Sequence, residues 1–209
     1  QILNVEDETI RAIKTLGLKA STVPQLMAEA RKVVSGRGLD ITPFKELLEK
    51  YVDEEKIRSS PCDLYVTSLS VTDRREVVFD VKQAPSGTIK DVLLASAFFP
   101  AFKNEKLGGK TYLDGGMVNN VPVDVLAERG YKNLIVIRIY GIGVDTERRT
   151  ELPEDVNVYR IAPRRNLGGI LEFEKKRTRR NMTLGYFDAR RLLYGLAGRR
   201  YYFYLPHTE

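Results

Sequence analysis

The chain is poor in the residues that most often do chemistry. It has one histidine, His207, one cysteine, Cys62, and no tryptophan among 209 residues. A single cysteine excludes an internal disulfide and fits a reducing compartment. One histidine and one cysteine, with no ligand-spaced cluster around them, give no metal site. His207 stands third from the last residue, on the kind of tail that is often mobile. It is a poor candidate for the base of a Ser–His–Asp triad. There is no run of 18 or more apolar residues, so no transmembrane helix is expected. No charged-then-apolar signal segment follows Gln1. The segments GIGVD and NLGG do not make a glycine-rich phosphate fingerprint, which argues against a nucleotide-binding domain. No cofactor is expected.

What is present reads as an ordinary globular chain, 43% apolar and 30% charged. That balance and length suit one domain over residues 1–209 with a sizeable core. The charge is uneven. Residues 160–209 carry twelve Lys or Arg against four acids, a net +8, and leave −2 for the first 159 residues. Such a basic quarter either meets phosphates, of lipid headgroups or nucleic acid, or is a solvated helix face. The cluster EKKRTRRN, Glu174–Asn181, has no interleaved aromatics, so stacking on nucleic acid is not expected.

Several elements are legible. Residues 1–38 are polar and helical in character, with weak periodicity. In ITPFKELLEKYV, Thr42 can cap a helix, Pro43 suits its first position, and Phe44, Leu47, Leu48 and Tyr51 recur at helical spacing. CDLYVTSLSVTD and REVVFDV predict a β-hairpin joined at Thr72–Arg75. TIKDVLLASAFFPAF predicts a helix from about Ile89, ended by Pro100. Gly108-Gly109 marks a tight turn. VDVLAERG is a short helix, with Asp124 in its first turn and Gly130 as its stop. NLIVIRIYG, Asn133–Gly141, predicts a strand buried on both faces, and VNVYRIAP repeats that signature. From about Leu171 to Tyr194 runs a long helix with Met182, Tyr186, Ala189 and Leu193 on one face. Glu172 and Glu174 stand at its start and Arg190 and Arg191 near its end, both favourable to the helix dipole. RRYYFYLP predicts a packed strand. Helices alternating with apolar strands predict an α/β class with a mainly parallel central sheet.

Within this pattern KTYLDGGMVNNVP, Lys110–Pro122, stands out. A strand-like run ends on a carboxylate, Asp114, followed by two glycines. In open α/β sheets functional groups gather at the carboxyl ends of strands. Gly115 and Gly116 can take positive φ and leave room beside the acid for another backbone. Taken alone, Asp-Gly is also a common turn with no chemistry.

The longer stretch LLASAFFPAFKNEKLGGKTYLDGGMVNNVPVDVLAERGYKNLIVIRI resembles the patatin-like phospholipases. The resemblance rests on Ala95-Ser96-Ala97 ahead of Pro100 and on the Gly-Gly hairpin. It rests also on Asp114-Gly115-Gly116 with Asn120 and Pro122 beyond, and on the strand after Gly130. LDITPFKELLEKY and LGGILEFEKKRTRRNMTLGYFDARR look similar to bacterial members. The resemblance runs from about residue 39 to the C-terminus.

It implies a three-layer α/β/α fold and a lipid acyl hydrolase with a Ser–Asp dyad, in which Asp114 is the catalytic aspartate. Gly115 and Gly116 would shape its turn, and Asn120 and Pro122 would set the next helix. The family's serine lies in a Gly-X-Ser-X-Gly turn, with a glycine-rich oxyanion loop ahead of it. Neither motif occurs in the chain. Ser96, near Asp114 in sequence, falls on a helix and is not expected to be the nucleophile. The resemblance therefore implies a domain incomplete at its N-terminus, inactive alone, with apolar sheet edges that a further segment or an oligomer would cover. The implied substrate is a lipid or other ester, with peripheral contact to an anionic membrane surface and a cytoplasmic location. The rival reading is a non-catalytic lipid- or anion-binding module built on the basic C-terminal helix.

Overall fold

The computed structural model describes residues 40–99, 102, 105–139, 151–168, 174–198 and 201–204. The polar segment 1–38, Pro100, Gly141, Glu172 and His207 lie outside them. The described residues fall into two compact units, one up to Pro122 and one from Val123 onward.

The first unit opens with α1, Thr42–Tyr51, and α2, Glu54–Ser59. Capping of α1 differs from the expectation. Thr42 is already helical, and the Asp40 carboxylate accepts from its backbone N–H at 3.0 Å and its hydroxyl at 2.7 Å. A carboxylate reaches back to an orphan N–H more readily than the Thr42 hydroxyl does. Only part of the apolar face of α1 turns inward. Phe44 and Leu48 pack against a buried cluster of Ile41, Leu94 and Phe98, while Leu47 and Tyr51 are exposed.

The hairpin forms as expected. Strand β1, Tyr65–Ser70, pairs antiparallel with β2, Arg75–Asp80, from Tyr65 opposite Asp80 to Ser70 opposite Arg75. Helix α3, Ile89–Ala97, follows a 3₁₀ turn at Val81–Gln83. It ends three residues before Pro100, whose ring disfavours helical geometry in the residue ahead of it. Gly108 and Gly109, at φ 56° and 79°, make the tight turn between Leu107 and Lys110. Strand β3, Tyr112–Asp114, then lies antiparallel on the free edge of β1, giving the order β2-β1-β3. Ile89, Leu94 and Ala95 of α3 are buried, as are Leu69 and Leu113 at the centre of the sheet.

The second unit holds α4, Val123–Ala127, then β4, Asn133–Ile137, β5, Asn157–Ile161, and α5, Lys175–Tyr194. Strands β4 and β5 are parallel, with Ile135 opposite Tyr159. Among the described residues this is the one parallel pair, and the three-stranded sheet is wholly antiparallel. The α/β class holds, but a mainly parallel central sheet is not found among the described strands. The short β1–β2 turn dictates antiparallel pairing, since parallel neighbours need a long crossover.

Two apolar faces also turn outward against expectation. β4 is not buried on both sides: Leu134 and Val136 are covered, while Ile135 and Ile137 are 58% and 72% exposed. With β5 its sole described partner, one face of the pair is covered and the other carries Ile135, Ile137 and Tyr159 to solvent. On α5 the stripe of Met182, Tyr186 and Leu193 is exposed as well. The helix turns a more polar side inward. Buried Asp188 pairs with the Arg164 guanidinium, Asn181 donates to the Leu167 carbonyl at 2.8 Å, and Phe187 stacks on Tyr202 at 4.3 Å. Gly195, at φ 64°, closes α5. Beyond it Phe203 bridges back to Ala197, but Tyr201 and Tyr204 are exposed, so no packed strand forms at the described part of RRYYFYLP.

Candidate functional site

Asp114 is the last residue of β3 and faces Ser68 across the ladder. Its backbone N–H donates to the Phe98 carbonyl just past α3, at 2.7 Å. The acid is thus fixed between a strand end and a helix end. Its side chain is half-buried. Oδ1 accepts the Gly116 N–H at 2.7 Å, and Oδ2 makes no hydrogen bond among the described residues. Burial pushes the Asp114 carboxyl above its ordinary value, and the Gly116 N–H opposes that shift by stabilising the anion. A carboxylate with a raised pKa and one unengaged oxygen is a better base than a solvated one.

The two glycines act differently from the expectation. Neither takes positive φ. Gly115 is needed for close approach. A Cβ there would stand 2.2 Å from the Thr67 carbonyl oxygen and 2.4 Å from its hydroxyl. The backbone beside the acid is therefore β1 of the same chain. Gly116 is tight against side chains, since a Cβ would meet Asn120 Oδ1 at 3.0 Å and Asp114 Oδ1 at 3.1 Å. Asp114, Gly116 and the exposed Asn120 thus share one small volume. Pro122 immediately precedes α4, at the helix start where its fixed φ belongs.

Sequence reading passed over the neighbour of Asn120. Asn119 is buried, and its amide donates to Glu76 Oε1 on β2 at 3.1 Å. That bond ties the turn after Asp114 to the far strand of the sheet. A fully buried polar residue looks no different in sequence from its exposed neighbour, so nothing in NN tells them apart.

None of the described serines is hydrogen-bonded to Asp114. Ser68 is fully buried, its hydroxyl 2.8 Å from both the Ala95 and Leu113 carbonyls. Ser70 does bond a carboxylate, Asp73 Oδ2 at 3.0 Å, and Lys110 reaches the same oxygen at 2.7 Å. That trio closes the hairpin turn with Ser70 at zero exposure, out of reach of any substrate. Ser96 lies in the last turn of α3. No group of three or more potential metal ligands exists among the described residues. No described helix is long and apolar enough to cross a membrane.

The raised Asp114 pKa has a consequence for stability. Between the ordinary carboxylate value of 3.8 and the raised native value, the native state binds more protons than the unfolded state. Stability contributed by protonated Asp114 is complete below that window and is lost as pH rises through it. Denaturation midpoints across the acid range should therefore show Asp114→Asn gaining on the parent chain as pH rises through the window, then holding a constant lead. Parallel profiles would mean that the carboxyl is not desolvated.

The sequence model of the patatin-like phospholipase family matches residues 8–127. No curated protein matches the chain. The family match spans more than half of the chain and includes Asp114, Gly115, Gly116, Asn120 and Pro122. The chain therefore belongs to the patatin-like phospholipase family, whose members act on lipid and ester substrates. The matched region begins at residue 8, upstream of where the resemblance is visible by eye. It ends at Ala127, so the basic helix α5 lies outside it.

Proposed function

We propose that the protein is a lipid acyl hydrolase in which Asp114 is the base of a Ser–Asp dyad. The observation that carries this reading is the half-buried Asp114, one oxygen tied to Gly116 and the other without a hydrogen bond among the described residues, inside the family match. The serine of the dyad is not among the 209 residues, which contain no Gly-X-Ser-X-Gly. In this reading Asp114 takes the serine proton as Oγ attacks the ester carbonyl carbon. The tetrahedral intermediate collapses, the carbon–oxygen bond to the alcohol breaks, and Asp114 returns the proton to the departing oxygen. Water then attacks the acyl-serine while Asp114 takes its proton. The fatty acid leaves and the serine regains its hydrogen. Gly115 seats the turn on β1, and Gly116 holds the carboxylate by its N–H. Asn120 and Pro122 carry the chain from the acid into α4. The lone, exposed Cys62 fits a cytoplasmic site of action.

The test compares two polypeptides on a short-chain ester and on phospholipid. These 209 residues alone should release no fatty acid. A product of the same gene that includes a Gly-X-Ser-X-Gly segment should release it. Turnover by the 209 residues alone would assign the chemistry to another nucleophile and overturn the dyad.

A further inference from the structure

We propose that the outward face of α5 is a docking surface for the anionic lipid bilayer, its apolar stripe entering the headgroup region and its basic end holding lipid phosphates. This deepens the acyl-hydrolase reading by naming how the protein meets its substrate phase, but its evidence comes from α5 and the residues packed on it, not from Asp114.

The geometry is inverted relative to an ordinary surface helix. At 3.6 residues per turn, Lys175, Arg179, Met182, Tyr186 and Leu193 line one side of α5. Met182 is 71% exposed, Tyr186 55% and Leu193 54%. A soluble helix normally turns such a stripe to the core. Here the buried side is held instead by Asp188 on Arg164 and by Asn181 on the Leu167 carbonyl. Rotating the helix to hide the stripe would unpair a buried carboxylate, at heavy cost. The outward orientation is thus fixed by the fold.

Charge selects the occupant. From Lys175 to Tyr194 the helix carries seven Lys or Arg and one acid, and that acid, Asp188, is buried. A second copy laid against the stripe in either direction would bring cations onto cations. An anionic surface would not. Aromatic residues suit the same boundary: the Arg190 guanidinium sits 5.1 to 5.6 Å from the ring centres of Tyr186, Tyr194 and Tyr204, all three more than half exposed. A helix with low net hydrophobicity, a strongly basic side and an apolar stripe lies in the interface plane rather than across the bilayer.

The test is co-flotation of the 209-residue chain with phosphatidylcholine vesicles, with and without phosphatidylserine. Binding should require phosphatidylserine and fall with salt. Each Lys or Arg near such a surface contributes about a fivefold change in affinity. Lys175→Gln with Arg179→Gln should therefore weaken binding about 25-fold. Met182→Asp with Leu193→Asp should abolish it with an unchanged circular dichroism spectrum, since both sites are already in water. Equal flotation of the Met182→Asp, Leu193→Asp variant would overturn the docking face, as would no flotation of the parent chain. A parent dimer in solution that the same variant splits would assign the stripe to self-association instead. Because flotation needs no turnover, its failure leaves the dyad standing. Failure of the dyad likewise leaves flotation unaffected.

Discussion

Replacing Asp114 by Asn will remove ester hydrolysis and leave the fold in place. Loss of a positioned general base costs between about 100-fold and 10,000-fold in rate. With no histidine among the described residues to take over, the upper part of that range is expected. The fold survives because asparagine keeps the side-chain oxygen that accepts the Gly116 N–H at 2.7 Å. Its neutral amide also removes a charge that burial disfavours, so the variant should be at least as stable as the parent at neutral pH. The readout is kcat/KM on a soluble ester in the protein that includes the serine, beside a denaturation midpoint. Lost activity with a midpoint at or above the parent's supports the assignment. Near-normal hydrolysis removes Asp114 from the chemistry.

Gly115→Ala should be the most damaging small substitution in the turn. The new methyl would lie 2.2 Å from the Thr67 carbonyl oxygen, which is backbone of β1 and cannot swing aside. Either β3 lifts from β1 or the turn unwinds. Overpacking of this kind costs about 3 kcal/mol. The Asp114–Ser68 pairing would go with it. Gly116→Ala makes the internal control. Its methyl meets only the tips of Asn120 and Asp114, at 3.0 and 3.1 Å. It should therefore disturb the carboxylate, and with it turnover, while shifting stability by less than about 1 kcal/mol. The two alanines separate the roles: the first lowers the denaturation midpoint, the second lowers activity at a nearly constant midpoint. An equal midpoint for Gly115→Ala and the parent would mean that the close approach to Thr67 is not real.

These contrasts show what a sequence can and cannot convey. The β1–β2 hairpin, the Gly108-Gly109 turn and α3 were legible because their signals are local. Asp114 at a strand end was legible for the same reason. What failed depended on partners far along the chain. The apolar run in β4 says that the strand could be buried twice, but not how many neighbours it will have. The α5 stripe says which residues share a side, but the buried Asp188–Arg164 pair, 24 positions apart, decides which side faces in. Gly115 shows the limit most clearly. Two glycines after an acid announce a need for space, yet whether φ or a neighbour demands it depends on Thr67, nearly fifty residues earlier.

The most direct measurement is labelling with a fluorophosphonate, which reacts far faster with a serine whose proton is being withdrawn than with an ordinary hydroxyl. The account predicts one labelled serine, in a Gly-X-Ser-X-Gly turn, in a polypeptide that carries such a turn together with these 209 residues. The Asp114→Asn variant should lose that label, and the 209 residues alone should take none. A label on Ser70 or Ser96, or an Asp114→Asn protein labelled at the parent rate, would contradict it.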